Sequence, residues 1–219
     1  MKPHMETTYP VSLDLRDKPV LLVGGGEVAF RKARGLPRAG CRLTVVSREF
    51  SPTFQAWLEE QHVHVEQRAY RNGEAAAYFL VISATDDSGV NQRVFEDADQ
   101  AGRLINVVDQ PERCNVYIPS RIEHGNLQVA ISTAGTCPAF ARWLRQELEA
   151  AIPERYGLLL DRIAAIRVRT KENLPSEDAR KRVLERLLHS EAARRFLAGD
   201  NRLLERMERG WERARPKRR

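Results

Sequence analysis

The sequence predicts an α/β fold in which a parallel sheet comes first, a small α+β segment follows, and helices make up the C-terminal part. Up to about residue 108, apolar strand-like runs alternate with helical patterns, which is typical of parallel strands joined by right-handed crossovers. From Pro153 onward only helical patterns occur. We therefore divide the chain into residues 1–115, 116–150 and 151–219.

The first division contains five predicted strands with helices between them. The run KPVLLV at residues 18–23 leads into three glycines and has the composition of a buried parallel strand. A helix is predicted at 27–39, where Pro37 loosens the last turn and Gly40 ends it. The other strands are predicted at 42–47, 63–68, 79–84 and 104–108, and the other helices at 54–61 and 90–101.

In the second division, strand-like and helical patterns no longer alternate. Residues 116–118 and 127–132 are predicted strands separated by a polar turn at 124–126. We interpret His124 as a solvated residue of that turn. Pro138 suits the first turn of a helix that reaches residue 151. This division is therefore predicted to be a small α+β segment.

Composition limits the class of protein. The chain has 219 residues, of which 42% are hydrophobic and 30% charged, as expected for a soluble folded protein. No run approaches the roughly 18 apolar residues of a membrane span, and the start of the chain lacks the apolar stretch of a secretory signal. The three cysteines are widely spaced and form neither a disulfide framework nor a metal knuckle. We therefore expect a cytoplasmic protein without a membrane partner.

Charge is distributed unevenly along the chain. Residues 151–219 contain 19 Lys and Arg against 11 Asp and Glu, whereas residues 1–150 contain 17 against 19. A basic C-terminal part indicates an anionic partner. Nucleic acid, a membrane surface and a polycarboxylate ligand are all candidates on charge alone.

The glycine segment after the first predicted strand favours dinucleotide binding. Gly24, Gly26 and Ala29 form a G-x-G-x-x-A motif between a strand and a helix. Gly24 permits the tight turn, Gly26 lets the backbone approach a pyrophosphate, and Ala29 lets the helix lie close to the strand. The motif is weak evidence by itself, but its position inside a βαβ unit is the context that a Rossmann-like domain requires. The alternative is a purely structural glycine turn.

The end of the second predicted strand bears on cofactor choice. An acidic residue that binds the ribose 2′-hydroxyl is expected there, yet the position is Ser47, followed by Arg48 and Glu49. Ser47 or Glu49 would favour NAD, whereas Arg48 would accommodate the 2′-phosphate of NADP. Because Glu49 would repel an added phosphate, we predict NAD.

The fourth predicted strand ends in Thr85, Asp86 and Asp87. We interpret the two aspartates as N-caps of the following helix. Ligands of open α/β sheets bind beyond the carboxyl ends of the strands. Thr85 and Asp86 are therefore predicted to border the cofactor.

Asp109 follows the fifth predicted strand directly and is the candidate catalytic residue. A carboxylate at this edge of the sheet can act as a general base, or accept the protons displaced when a metal enters a ligand. The alternative is a plain Asp-x-Pro turn that Pro111 completes. Asn106, on the same strand, is predicted to bind substrate.

The segment STAGTCP at residues 132–138 joins a strand to a helix and is a second candidate anion site. Ser132 and Thr133 are predicted to bind substrate there, and the alternative is simple N-capping by Thr136. No metal site is predicted, because neither His124 nor Cys114 has partners at ligand spacing.

Together these motifs resemble the precorrin-2 dehydrogenase/sirohydrochlorin ferrochelatase family, which includes the N-terminal module of siroheme synthase. The resemblance follows the family's order and covers about residues 9–150. The matching segments are YPVSLDLRDKPVLLVGGGEVAFRKARGL, LVISATDDSGVNQRV, INVVDQPERCNVYIPS and LQVAISTAGTCPAFARWLRQELE.

The resemblance implies NAD-dependent oxidation of precorrin-2 to sirohydrochlorin and, in bifunctional members, insertion of Fe²⁺ to give siroheme. It also implies a homodimer formed by strand exchange over about residues 116–150. The family's key aspartate falls on Asp109. Its cofactor-binding positions fall on Gly25, Gly26, Glu27, Val28, Arg48 and Glu49.

The sequence departs from the family pattern at three positions. Pro37 replaces an aliphatic residue, Ala134 a usual glycine, and Cys137 a usual serine. The last two departures put the turn at 132–138 in doubt, whereas Asp109 and the glycine segment match.

The implied substrate agrees with the charge distribution, since precorrin-2 carries acetate and propionate groups. Arg142 and Arg145, together with the basic C-terminal part, are candidates for holding this polyanion. One alternative is a dehydrogenase without chelatase activity. The other is an NAD-sensing regulatory module whose tail, RARPKRR, binds nucleic acid, although no helix-turn-helix pattern supports it and we expect no nucleic-acid partner.

Overall fold

The first of two units is built on a five-stranded parallel sheet. The computed structural model describes residues 8–174, 176–203 and 205–206, and the first unit ends at Ile118 in the chain, with the second beginning at Pro119. The sheet has the strand order β3-β2-β1-β4-β5. Its strands are β1 (Pro19–Val23), β2 (Arg42–Ser47), β3 (His64–Gln67), β4 (Leu80–Ser83) and β5 (Leu104–Val107), and the helices are α1 (Glu27–Ala33), α2 (Pro52–Glu60) and α3 (Ser88–Gln100).

Apolar side chains cover both faces of this sheet, as parallel strands require. Alternate residues of each strand point to opposite faces and pack against different helices. One face carries Val20, Leu22, Val45, Ile82, Ala29, Ala33, Phe54 and Leu58, with α1 and α2. The other carries Leu21, Val23, Val46, Val81, Ile105, Val107, Val94 and Ala98, with α3. The predicted Rossmann-like sheet is confirmed.

Two predicted elements before residue 119 were wrong, the first in its bounds and the second altogether. The helix predicted at 27–39 ends at Ala33, and a separate 3₁₀ turn follows at Pro37–Ala39, because proline has no N–H to continue a helix. Residues 116–118 are not a strand. Instead the backbone N–H groups of Asn115 and Val116 both donate to the Ile105 carbonyl oxygen, at 3.1 and 3.3 Å.

The second unit consists of a hairpin followed by helices. Strands β6 (Ser120–His124) and β7 (Leu127–Ile131) pair antiparallel. The helices are α4 (Pro138–Ala151), α5 (Arg155–Asn173), α6 (Glu177–Leu188) and α7 (Glu191–Leu197). Leu159, Ile166, Leu187 and Phe196 form the core of α5 to α7. In the residues that the structure describes, no helix is long and apolar enough to cross a membrane. The tail RARPKRR lies outside those residues.

The interpretation of His124 as a solvated turn residue was wrong. His124 ends β6 and is half-buried. Its Nε2 atom lies 2.8 Å from the carbonyl oxygen of Ile152, at the end of α4. A Cβ at Gly157 would lie 2.3 Å from the His124 carbonyl oxygen, so α5 also packs closely here. His124 therefore joins the hairpin to the helices of its own unit.

The turn before α4 places Ala134 in the left-handed region, with φ of 50°. This conformation is strained for alanine, since its Cβ crowds the backbone. We expect Ala134→Gly to raise the free energy of unfolding by about 0.5–1 kcal/mol, because glycine adopts positive φ without that strain. The melting temperature would rise by about 2 °C. In the control Ala130→Gly, within β7, the same substitution should lower the melting temperature, and an equal fall in both variants would contradict the prediction.

Candidate functional site

The glycine segment is held between two neighbouring strand ends. Gly24 has φ of 130°, and a Cβ there would lie 2.2 Å from the Ala84 carbonyl oxygen after β4. A Cβ at Gly25 would lie 1.9 Å from the Glu49 carbonyl oxygen after β2. By contrast, a Cβ at Gly26 would meet no atom within 4 Å. Neighbouring backbone atoms therefore leave no room for a side chain at Gly24 or Gly25, whereas the surface at Gly26 is open to a ligand.

The loop after β2 is hydrogen-bonded to the glycine segment. The Ser47 hydroxyl donates to the Glu49 carbonyl oxygen at 2.7 Å, and the Ser51 N–H donates to the Gly25 carbonyl oxygen at 2.8 Å. The side chains of Arg48 and Glu49 are exposed. The structure thus brings Ser47 and Glu49 against Gly25, with Arg48 between them in the chain, and their role in cofactor choice stays a prediction.

Ser51 is a residue of this site that the sequence reasoning missed. Its hydroxyl donates to Glu27 Oε1 at 2.8 Å and accepts from the Phe54 N–H at 3.4 Å. The carboxylate of Glu27 is therefore held toward the loop after β2, while Val28 stays exposed in the first turn of α1. The Ser-Pro pair before α2 is a recognisable N-cap signal, but its contact with Glu27 is not.

At the end of β4, Thr85 belongs to a hydrogen-bonded turn. The Asp87 N–H donates to Thr85 Oγ1 at 3.2 Å, and Asn91 Nδ2 donates to the Thr85 carbonyl oxygen at 2.9 Å. The Asp87 carboxylate accepts from the N–H groups of Gly89 and Val90. The N-cap prediction is confirmed for Asp87, whereas Asp86 is exposed and does not cap α3.

Asp109 lies exposed just beyond β5, with φ of 59°. Aspartate tolerates the left-handed region better than most residues. The preceding residue is tied to the sheet, since the Val108 N–H donates to the Ser83 carbonyl oxygen at 2.9 Å. The carboxylate of Asp109 is therefore presented at the same edge of the sheet as the glycine segment.

The turn that carries Asp109 folds around the sulfur of Cys114, a second residue that the sequence reasoning missed. The Sγ atom accepts from the Val107 N–H at 3.2 Å and lies 3.2 and 3.3 Å from the carbonyl oxygens of Val107 and Gln110. Burial raises the pKa of the Cys114 thiol, which keeps its proton available for one of those carbonyls. Cys114 is a positioning residue for the turn.

We expect Cys114→Ala to lower the free energy of unfolding by about 1–3 kcal/mol, because the N–H of the buried residue Val107 loses its acceptor. Urea unfolding of the full chain measures this. Cys137 is exposed, so Cys137→Ala is the matched control and should change stability by less than about 0.5 kcal/mol. Equal effects of the two substitutions would show that Cys114 does not hold the turn.

Asn106 is buried beneath this edge. Its Nδ2 donates to the Val116 carbonyl oxygen at 3.0 Å, while its Oδ1 has no hydrogen-bond partner. A buried acceptor without a partner is unusual in a folded protein. That Asn106 binds substrate stays a prediction.

Three predicted substrate-binding residues belong to the second unit. Ser132 Oγ accepts from the Ala134 N–H at 3.1 Å, and Thr133 Oγ1 accepts from the Cys137 N–H at 3.2 Å. The alternative of simple N-capping by Thr136 does not hold, since Cys137 occupies the N-cap position and has no side-chain cap. Arg142 is exposed on α4. That these residues share a ligand with Asp109 stays a prediction.

Arg145, the other candidate for holding a polyanion, forms an ion pair with Glu149 along α4. Among the described residues, no three His, Cys, Asp or Glu side chains are grouped to hold a metal ion.

The parallel sheet and its glycine segment define the first unit as an NAD(P)-binding α/β domain. Residues 11–120 match the family model described as "Putative NAD(P)-binding". Residues 124–151 match "Sirohaem biosynthesis protein central", and residues 155–213 match "Sirohaem synthase dimerisation region". The chain belongs to the family that its motifs indicated, that of the N-terminal module of siroheme synthase. The dimerisation model falls later than the segment 116–150 for which dimerisation was predicted.

Relatives and a solved structure agree with this assignment. The chain is 38% identical over 191 residues to the siroheme synthase of Thioalkalivibrio sulfidiphilus, covering 87% of this chain and 39% of that protein. It is 36% identical to the siroheme synthase of Zymomonas mobilis, covering 87% and 41%. It spans about two fifths of the length of these relatives. The structure of "SirC, precorrin-2 dehydrogenase" matches with a TM-score of 0.76 and 27% identity, over 92% of this chain and all of that one.

Proposed function

We propose that the chain is an NAD-dependent precorrin-2 dehydrogenase, which oxidises precorrin-2 to sirohydrochlorin. The observation that carries this proposal is the match to SirC, because it extends over the whole of a chain named as a precorrin-2 dehydrogenase. The open surface at Gly26 and the exposed carboxylate of Asp109 at the same sheet edge support it.

The decisive experiment incubates the purified chain with precorrin-2 and NAD and follows NADH absorbance. NADH should form in proportion to enzyme, with sirohydrochlorin as the product. Absence of NADH above a protein-free control would overturn the proposal.

Bound NAD would supply the hydride acceptor for this oxidation. Gly26 leaves room for the phosphates to approach the backbone, and the loop from Ser47 to Ser51 would bind the ribose end. The Asp109 carboxylate, directly or through a water, accepts the proton that leaves the macrocycle with the hydride. Because Asp109 is held at the end of β5 by the turn around Cys114, it reaches beyond the sheet without a long flexible loop.

NAD rather than NADP is the cofactor we assign. Glu49 is exposed, and its carbonyl oxygen lies against Gly25, so its carboxylate would be available to accept from a ribose hydroxyl and to repel a 2′-phosphate. A comparison of kcat/KM with the two cofactors tests the choice. Equal values of kcat/KM would show that the attraction of Arg48 for the 2′-phosphate offsets its repulsion by Glu49.

Insertion of Fe²⁺ into sirohydrochlorin is the second candidate activity, favoured by the name siroheme synthase of the relatives. The macrocycle would provide the metal ligands, and Asp109 would accept the pyrrole protons. A metal-insertion assay on purified sirohydrochlorin decides between this and a dehydrogenase alone. A rate no greater than the uncatalysed one would exclude chelatase activity.

We also assign a homodimer located in the cytoplasm. The dimerisation model over residues 155–213 supports the assembly, and the three cysteines, all free, suit a reducing compartment. A monomeric mass by light scattering would contradict the dimer.

A further inference from the structure

One buried oxygen in the first unit lacks a partner. Asn106 is only 7% exposed. Of the buried side-chain nitrogen and oxygen atoms in the described part of the chain, Asn106 Oδ1 alone makes no hydrogen bond. Since buried polar atoms are normally paired, an unpaired one is a candidate acceptor for a donor outside the protein.

The orientation of this amide is fixed by its surroundings. Asn106 Nδ2 donates to the Val116 carbonyl oxygen at 3.0 Å and lies 3.6 Å from Cys114 Sγ. Rotating the amide by half a turn would place Oδ1 against the Val116 carbonyl, so that two acceptors would face each other. The orientation in which Nδ2 donates to Val116 is therefore the favourable one, and in it the unpaired atom is the acceptor Oδ1.

The position of Asn106 places this acceptor near the ligand edge of the sheet. In the strand register Asn106 pairs with Ile82 of β4, which pairs with Leu22 of β1. Each of the three lies one residue before the end of its strand, and Gly24 and Asp109 follow the ends of β1 and β5. Ligands of such sheets bind beyond these carboxyl ends.

We propose that Asn106 Oδ1 accepts a hydrogen bond from the carboxamide N–H of the nicotinamide and so orients that ring at the end of β5. This inference rests on the proposed NAD-dependent dehydrogenase. The carboxamide is the N–H donor that the cofactor carries on its reacting ring. The pyrrole N–H groups of the substrate are the other source of the same chemistry, and the experiment separates the two.

The test measures binding by calorimetry with the full chain and three ligands. These are NAD, its 3-acetylpyridine analogue, in which a methyl ketone replaces the carboxamide, and ADP-ribose, which lacks the ring. The unaltered chain should bind NAD about tenfold more tightly than the analogue, as expected for one hydrogen bond. Asn106→Leu should lose that preference while its affinity for ADP-ribose stays within about twofold. Asn106→Asp, which keeps an acceptor, should retain part of the preference.

Asn115→Leu is the matched control. Asn115 also braces β5, since its Oδ1 accepts from the Ile105 N–H at 2.7 Å and its Nδ2 donates to the Arg103 carbonyl. Loss of the Asn115 side chain should lower the affinity for all three ligands by the same factor.

Two results would overturn the inference. Equal affinity of the unaltered chain for NAD and the analogue would do so even if Asn106→Leu fails to fold. The second such result is that Asn106→Leu still prefers NAD to the analogue and has a raised KM for precorrin-2. That result would show that Asn106 Oδ1 accepts from a pyrrole N–H of the substrate and not from the nicotinamide. Failure of the unaltered chain to bind ADP-ribose would instead contradict the proposed function itself.

Discussion

Replacing Asp109 by asparagine is expected to slow precorrin-2 oxidation by about 10²–10⁴-fold while leaving the turn after β5 intact. Asparagine has nearly the same shape, but its amide does not accept a proton. General-base catalysis contributes about 10²–10⁴-fold to enzymatic rates, so kcat should fall by that order. NADH formation under saturating precorrin-2 and NAD measures the loss.

Asparagine is the informative substitution because of the backbone conformation of Asp109. At φ of 59°, alanine would add strain of about 1–2 kcal/mol to the turn, whereas asparagine tolerates the left-handed region. An effect of Asp109→Ala would therefore mix lost chemistry with a displaced turn. In Asp109→Asn, the melting temperature and the affinity for NAD should be unchanged.

Asp17→Asn is the matched control, because Asp17 is also an exposed aspartate with positive φ, 57°, but it precedes β1 at the opposite edge of the sheet. It should keep normal activity. Full activity of Asp109→Asn would remove this carboxylate from the mechanism and leave solvent as the proton acceptor.

The sequence predicted the sheet and the arrangement of its strand ends because both are encoded locally. The run before Gly24 is apolar throughout, which indicates a strand buried on two faces. Asp87 precedes a helix and caps it. In a parallel sheet, the residues that follow each strand meet at one edge. The glycines, Thr85 and Asp109 could therefore be placed together before any contact was known.

Contacts between residues far apart in the chain could not be predicted in this way. Ser51 reaches Glu27 across 24 positions, and His124 reaches Ile152 across 28. Cys114 lacked partners at metal-ligand spacing, and its partners proved to be backbone atoms of the turn that it closes. A cysteine or histidine pattern carries no sign of a backbone partner, so these roles require the folded chain.

Gly25→Ala and Gly26→Ala are expected to weaken NAD binding for different reasons, although they are adjacent and chemically identical changes. At Gly25 the new Cβ would lie 1.9 Å from the Glu49 carbonyl oxygen and 2.7 Å from Ser47 Oγ. The loop after β2 must move away, which should cost about 1–3 kcal/mol of unfolding free energy. Because the Ser51 N–H bonds to Gly25, this movement also disrupts the ribose end of the site. Both the melting temperature and NAD binding should fall.

At Gly26 the new Cβ would meet no protein atom within 4 Å, and the residue has an ordinary φ of −86°. Stability should therefore change by less than about 0.5 kcal/mol. The methyl group would instead occupy the space through which a pyrophosphate approaches the backbone. We expect NAD affinity to fall roughly 100-fold, equivalent to about 2.7 kcal/mol, in a protein that melts normally. If Gly26→Ala binds NAD as tightly as the unaltered chain, the phosphates do not lie at Gly26, and the glycine segment serves only the packing of β1 against its neighbours.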